Sequence, residues 1–365
     1  HNFASIGHEF FVPTSIAREY PNSAYLLSGT FGTVYHLWRA NRRREGIAVK
    51  KFITPFITVR RAQRCYRELQ LLSEIDHENI VPMKFAYTTE TSLDRLENVY
   101  LVTEYCGYDL NILLAQERGG RQLFNLRSIQ QMLSELLRAL KYLNSANVIH
   151  RDLKPDNIAI DRNGKLKLLD FGIARVLDEN NKHTRDAGMK YYRAIETFAF
   201  DQNEQQVYNE KADIWSIGAI LSEMITGEIL FKPEKPEPDN PVPKFLQILG
   251  PVPEHVIVEQ AQDEPSRAWF RVRSQISVRR NFVQHFLKHG KPWLRDAIRN
   301  EGAALVNFID RTLVFDPRAR MSVDEALAHS FLAKVRVQEK EVNANHMIAD
   351  VGNMSMDEWK RLIWT

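Results

Sequence analysis

The sequence predicts an α+β chain in two parts, a small β-rich part carrying one helix and a larger, mainly helical part. Three observations lead there. Runs of β-branched and aromatic residues crowd the stretch from Tyr25 to Tyr105, and helical periodicity takes over from Leu126. A length of 365 residues, with 44% hydrophobic and 26% charged side chains, suits an ordinary globular chain of about two folding units.

The elements follow in order. Tyr25 to Tyr35, Ile47 to Phe52 and Val99 to Tyr105 read as strands. Between the second and third, Arg60 to Ile75 repeats Leu69, Leu72 and Ile75 at helical spacing. Ile129 to Leu143 puts Leu133, Leu136, Leu137 and Leu140 on one helical face, and the change of character near Gly107 marks the boundary. Ile214 to Phe231 is the most apolar stretch, but Ser216, Ser222, Glu223, Thr226 and Glu228 interrupt it, so it reads as a buried core helix rather than a membrane span. Pro233, Pro236, Pro238, Pro241 and Pro243 exclude a continuous helix from Lys232 to Lys244 and predict an exposed loop. Arg267, Arg271, Arg273, Arg279 and Arg280 read as a solvated helical face.

Charge and cysteine content narrow the partners. Lys and Arg number 49 against 46 Asp and Glu, and a net +3 is too small to make nucleic acid or an anionic membrane the default partner. Two cysteines, Cys65 and Cys106, cannot build a disulfide framework and suit a reducing compartment, cytoplasmic or nuclear.

The chemistry is carried by an ordered series. Ser28-Gly29-Thr30-Phe31-Gly32-Thr33-Val34 lies between predicted strands and can fold over phosphates with its backbone N–H groups, although a plain hairpin would look the same in isolation. Ala48-Val49-Lys50 ends an apolar strand on a lysine, for which Glu68 on the predicted helix is the natural counter-charge. His150-Arg151-Asp152-Leu153-Lys154-Pro155-Asp156-Asn157 packs a carboxylate, a cation and an amide into one loop. Asp152 can accept a proton from a substrate hydroxyl, Lys154 can neutralise a moving phosphoryl group, and Asn157 can ligate a metal. Asp170-Phe171-Gly172 then supplies a carboxylate suited to Mg²⁺. Any one of these Asp or Asn residues alone would be read as a cap or turn residue; the whole series would not.

With Tyr66-Arg67-Glu68-Leu69, His77-Glu78-Asn79-Ile80 and Val99-Tyr100-Leu101-Val102-Thr103 added, the chain resembles the eukaryotic protein kinases from about Tyr25 to His329. Within them it is most similar to the mitogen-activated protein kinases, especially their stress-activated branch. Lys154 resembles the serine/threonine type, and Asp357-Glu358-Trp359-Lys360 resembles that branch's tail. The resemblance implies a two-lobed fold: an N-lobe with an extension at 1–105, a C-lobe at 106–333 with an insert at about 233–300, and a C-terminal extension at 334–365 returning toward the N-lobe. It implies ATP and Mg²⁺ at the hinge, under Leu26, Leu27 and the glycine-rich turn, with Val34 and Ala48 sandwiching the base. Thr103 would be the gatekeeper, Glu104 and Cys106 the backbone hinge contacts and Asp109 a ribose contact. Lys50, Glu68, Asp152 and Lys154 would be catalytic, and Asn157 and Asp170 would hold the metal. Asp213 would brace the catalytic loop and Glu196 would pair with Arg320. Arg67, Arg151 and Arg175 would gather round a phosphorylated Thr184.

The chain also departs from the family pattern. Asp186 stands in place of the activating tyrosine, a partial mimic of phosphorylation whose expected basic partners are Lys190 and Arg193. Leu27 replaces the first glycine, Gly188 an alanine, Met189 the threonine that bridges the catalytic Asp and Lys, and Ile195 a proline. The acidic docking groove is reduced to Glu339 and Glu341, with Lys340 between them and Arg162 on the neighbouring turn, which predicts weak binding of basic docking peptides. The resulting expectation is a monomeric cytoplasmic and nuclear serine/threonine protein kinase, acted on by an upstream MAP kinase kinase and phosphorylating protein substrates. An ATP-binding scaffold that transfers little phosphate is the alternative from another class.

Overall fold

The computed structural model describes residues 2–29, 32–43, 45–176, 182–183, 190–197, 206–207, 209–233, 241–261, 264–274, 282–352 and 354–365, of which 175–176, 182–183, 206–207, 283, 287 and 293–301 by backbone alone. The chain forms two compact units, one of His1–Tyr108, Ala159–Ala174 and Ile348–Thr365, the other of Asp109–Ile158 and Arg175–Met347.

The first unit is built on a five-stranded antiparallel sheet. Its strands are β3 (Asn22–Ser28), β4 (Gly32–Trp38), β5 (Ile47–Phe52), β6 (Met83–Tyr87) and β7 (Tyr100–Glu104), in the spatial order β3-β4-β5-β7-β6. Side chains alternate across a strand, so register decides which residues meet. Val49 opposes Tyr35 and Val102, while Lys50 opposes Val34 and Leu101, and Ala48 opposes Thr103. One face therefore carries Leu37, Ile47, Val49, Tyr100 and Val102, which form the core with Phe10 and Val12. The other carries Val34, Ala48, Lys50 and Thr103.

The core face is closed by a hairpin that the sequence reading did not include, β1 (Phe3–Gly7) with β2 (Phe10–Pro13), followed by the short helix α1 (Thr14–Glu19). Phe10 reaches Tyr35 at 4.5 Å and Tyr100 at 5.5 Å between ring centroids. Lys51 Nζ donates to the Glu9 carbonyl at 2.6 Å, and Tyr87 Oη to the Phe11 carbonyl at 2.8 Å.

Helix α2 (Val59–Glu74) begins at Thr58, whose side chain accepts from the Arg61 N–H, a standard way to satisfy an orphan donor of the first turn. Ala62, Cys65, Glu68, Leu71 and Leu72 are buried, whereas Leu69 is only half-buried. The C-terminal helix Met356–Trp364 packs on α2: Trp359 is 1% exposed and lies 5.4 Å from the Tyr66 ring. Its Ser355 and Glu358 form a capping box.

The second unit is mainly helical. Helix α3 (Leu110–Arg118) is capped by Asp109, α4 (Leu126–Ser145) by an Asn125–Ser128 capping box, and α5 (Lys211–Thr226) ends at Gly227 with φ +81°. Nearly every side chain of α5 is buried, as expected for a core helix, and its polar Ser222 is satisfied by the Gly218 carbonyl at 2.8 Å. Trp215 packs with Phe231, Phe245 and Phe315. Among the described residues no helix is long and apolar enough to cross a membrane.

The loop expected from Lys232 to Lys244 needs correction at its end. Pro241 precedes and Pro243 opens a helix, Val242–Leu249, with Val242 buried; proline is tolerated in a first turn because its missing N–H has no partner to lose there. Residues 234–240 lie outside the described residues. The arginine run does give a solvated helix, Glu264–Arg273, in which Arg271 bonds Glu254 at 2.7 Å and Glu264 at 2.8 Å; Arg279 and Arg280 lie outside the described residues.

Candidate active site

In the first unit the chemistry gathers on the sheet face opposite the core. β5 delivers Lys50, and its Nζ donates to both Glu68 oxygens, at 2.6 and 2.8 Å, and to Asp170 Oδ1 at 3.3 Å. Glu68 is 2% exposed. Burial works against the Lys50 ammonium, but the carboxylates of Asp170 and Glu68 outweigh it and hold its pKa above the usual lysine range. The pair is thus an ammonium and a carboxylate, mutually satisfied in a poorly solvated place.

Asp170 sits at φ +53°, an uncommon conformation for a residue with a side chain, and its Oδ1 accepts the Gly172 N–H at 3.1 Å. The carboxylate is 38% exposed. A side chain at Gly172 would bring its Cβ within 2.9 Å of Arg64 Nε. Arg64 is absent from the sequence reading; it lies one turn before Glu68 on α2, and its charge acts on both Lys50 and Glu68. That i, i+4 spacing is the signal that could have found it.

The glycine-rich turn joins β3 and β4. Leu26 and Leu27 are exposed, Ser28 Oγ and Thr33 Oγ1 are 2.9 Å apart, and the Gly29 N–H donates to the Gly32 carbonyl at 2.9 Å. A Cβ at Gly32 would come within 2.9 Å of Lys50 Cε and 3.2 Å of the Lys51 carbonyl, so this glycine lets Lys50 lie along the sheet. Thr30 and Phe31 lie outside the described residues.

Past β7, the Glu104 carbonyl accepts from Thr103 Oγ1 at 3.3 Å and Cys106 Sγ at 3.5 Å. Burial pushes the Cys106 thiol up to about 12, so it is a neutral apolar side chain rather than a reactive one. Gly107 has φ +89°, and a Cβ there would come within 2.3 Å of the Ile160 carbonyl.

The second unit builds the loop around Asp152. Asp213 on α5 is buried, and its two oxygens accept the His150 and Arg151 N–H groups, each at 2.9 Å. This bracing fixes Arg151 at φ +71°, where an unsupported backbone would pay strain. Asp152 Oδ2 accepts from Lys154 Nζ at 2.7 Å and Asn157 Nδ2 at 3.1 Å, and Oδ1 from Arg193 Nη2 at 3.4 Å. Asn157 Nδ2 also donates to the Asp152 carbonyl at 2.8 Å, which commits the amide nitrogen and not its oxygen.

Supporting contacts surround this loop. Glu196 and Arg320 form the expected pair, bidentate at 2.7 and 3.1 Å and 1% and 0% exposed. Ile195 is fully buried in place of the proline expected there. Asp109 spends one oxygen capping α3 through the Ile112 N–H at 2.8 Å, and burial raises its pKa. Lys190 is half-buried and accepts the Arg193 N–H at its carbonyl, 3.1 Å away.

Of the three arginines expected to gather round Thr184, Arg67 on α2 is buried with Asp350 at 3.6 Å, Arg151 is braced through its backbone, and Arg175 pairs by backbone with Ile149. Thr184, Asp186, Gly188 and Met189 lie outside the described residues.

Comparison with known proteins agrees with this chemistry. The protein kinase domain matches residues 20–332. The chain is 33% identical over 352 residues to the mitogen-activated protein kinase pmk-3 of Caenorhabditis elegans, covering 94% of this chain and 71% of that protein. It is 33% identical over 343 residues to mitogen-activated protein kinase 12 of Danio rerio, covering 93% and 86%. It is 34% identical over 343 residues to the mitogen-activated protein kinase HOG1 of Gibberella zeae, covering 92% and 86%. A lysine paired to a helix glutamate, an aspartate after β-structure and a braced aspartate loop are thus joined to matches spanning nearly the whole chain, and the chain belongs to the mitogen-activated serine/threonine protein kinases.

Proposed function

We propose that this kinase transfers the γ-phosphoryl of Mg-ATP to protein hydroxyls with Asp152 as the group that orients and deprotonates the acceptor. The observation that carries this reading is the setting of Asp152, a carboxylate held by Lys154, Asn157 and Arg193 in a loop braced by Asp213. Kinase catalysis is chiefly positioning and electrostatics, and a carboxylate held by donors on both oxygens is already oriented.

Lys50, held extended by Glu68, is assigned to the α and β phosphates, and Lys154 to the charge of the transferred group. Mg²⁺ is assigned to Asp170 and Asn157. Among the described residues no three His, Cys, Asp or Glu side chains group as a metal cage. A carboxylate oxygen and an amide oxygen are each the hard donor type that Mg²⁺ takes, alongside the water and phosphate oxygens it keeps. When bound, Mg²⁺ supplies charge neutralisation to the phosphates. The sheet face with Val34, Ala48 and Thr103 is assigned to the adenine and the Glu104–Cys106 backbone to its edge.

Protein partners are assigned by charge. Glu341 is nearly buried between Arg336, at 2.6 and 3.1 Å, and Lys141 at 3.5 Å, and Arg336 holds its carboxyl below the usual range. Arg162 is likewise engaged, by Glu45. Both support weak attraction for basic docking peptides. Two buried free cysteines support a cytoplasmic and nuclear setting.

The metal assignment is tested by titrating ATP into the wild-type chain and Asp170→Asn at low and high Mg²⁺. Affinity rises with Mg²⁺ in the wild type and stays flat in the variant; an unchanged Mg²⁺ response in Asp170→Asn would remove Asp170 from the site.

A further inference from the structure

We propose that Arg193 is a positioning residue for the catalytic carboxylate, and that it does for Asp152 what a hydroxyl at position 189 cannot do in this chain. Met189 stands where a threonine is expected to bridge Asp152 and Lys154, and a thioether has no proton to donate. A donor to Asp152 does come from four residues further along. Arg193 Nη2 lies 3.4 Å from Oδ1, whereas Lys154 and Asn157 bond Oδ2.

Both side chains are nearly buried, Arg193 at 10% and Asp152 at 12% exposed, so the pair is poorly screened. The arginine is itself anchored: its N–H donates to the Lys190 carbonyl at 3.1 Å, and within three residues Glu196 is locked to Arg320. A cation on Oδ1 and a cation on Oδ2 fix rotation of the carboxylate about its Cβ–Cγ bond, which decides where an acceptor hydroxyl meets it.

The inference rests on Asp152 being the catalytic carboxylate, so the experiment measures Arg193→Met, Arg193→Lys and Asp152→Asn together. Steady-state transfer to a generic protein substrate gives kcat and KM for Mg-ATP, with thermal unfolding and Mg-ATP affinity as checks of folding. Losing a charge-assisted hydrogen bond predicts that Arg193→Met lowers kcat roughly 10- to 100-fold while KM for Mg-ATP stays at the wild-type value. Arg193→Lys keeps a cation in reach and recovers kcat several-fold over Arg193→Met; should the methionine variant fail to fold, Arg193→Ala serves as the uncharged comparison.

A wild-type or higher kcat in folded Arg193→Met, or a lysine variant as slow as the methionine one, overturns the positioning role. Wild-type transfer by Asp152→Asn instead overturns the assignment of Asp152. An inactive Asp152→Asn beside an unimpaired Arg193→Met separates the two failures.

Discussion

In the first unit one ammonium, Lys50, stands between the carboxylates of Glu68 and Asp170, whereas in the second one carboxylate, Asp152, stands between the cations of Lys154 and Arg193. The two clusters share a rule and reverse its sign. In each, the central group is mostly withdrawn from water and owes its orientation to partners of opposite charge. The outer groups differ: Glu68 is locked in the interior at 3% side-chain exposure, while Asp170 at 38% and Lys154 at 22% stay partly exposed. A cation between carboxylates suits a site that receives phosphate together with a divalent metal. A carboxylate between cations suits one that takes a proton while negative charge moves past it.

The largest effect expected from breaking this symmetry is at Lys50. Lys50→Met removes the centre of the first cluster and sets Glu68 and Asp170 against one another without a cation between them. Steady-state transfer should fall by roughly 10² to 10³-fold, the range seen when one preorganised electrostatic donor is lost. A smaller loss than that of Arg193→Met would mean that the first cluster is structural. The Arg193 variants are the intermediate step, because there the central carboxylate keeps its bonds from Lys154 and Asn157.

The smallest effect sharpens the comparison with an ion pair outside both clusters. Asp316 bonds Arg318 through side chain and backbone and also His255, and its pKa is lowered to about 2, chiefly by the Arg318 side chain. Its folded value lies below its ordinary one. The stabilisation is therefore present above pH 3.8 and fades as pH falls toward 2. Because Arg318 is 62% exposed, solvent screening keeps that contribution small. Urea unfolding of Asp316→Asn should show a small deficit at neutral pH that has largely faded near pH 2, and no change in kcat.

Much of the first cluster was legible in the sequence, because Lys50, Glu68 and Asp170 carry chemistry that an apolar strand or helix has no use for. The Asp152 loop was legible for the same reason, as were Asp213 and the Glu196–Arg320 pair once the resemblance was drawn. What sequence could not show depends on long-range geometry. Arg193 bonding Asp152 is a contact between a loop and a distant turn, and no local spacing announces it. The N-terminal hairpin was missed because its strands are short, and Phe10 and Val12 reveal their role only against Tyr35 and Tyr100. Pro241 and Pro243 misled because proline was read as a breaker, when at a first helical turn it costs nothing.

The most direct test of the account compares γ-phosphoryl transfer with Mg-ATP binding in the wild-type chain and in Asp152→Asn, on one folded preparation of each. The geometry predicts that the variant binds Mg-ATP with affinity close to the wild type and loses transfer by roughly 10² to 10⁴-fold, the range for removing a general base. Transfer by Asp152→Asn at the wild-type rate, with nucleotide binding intact, would contradict it.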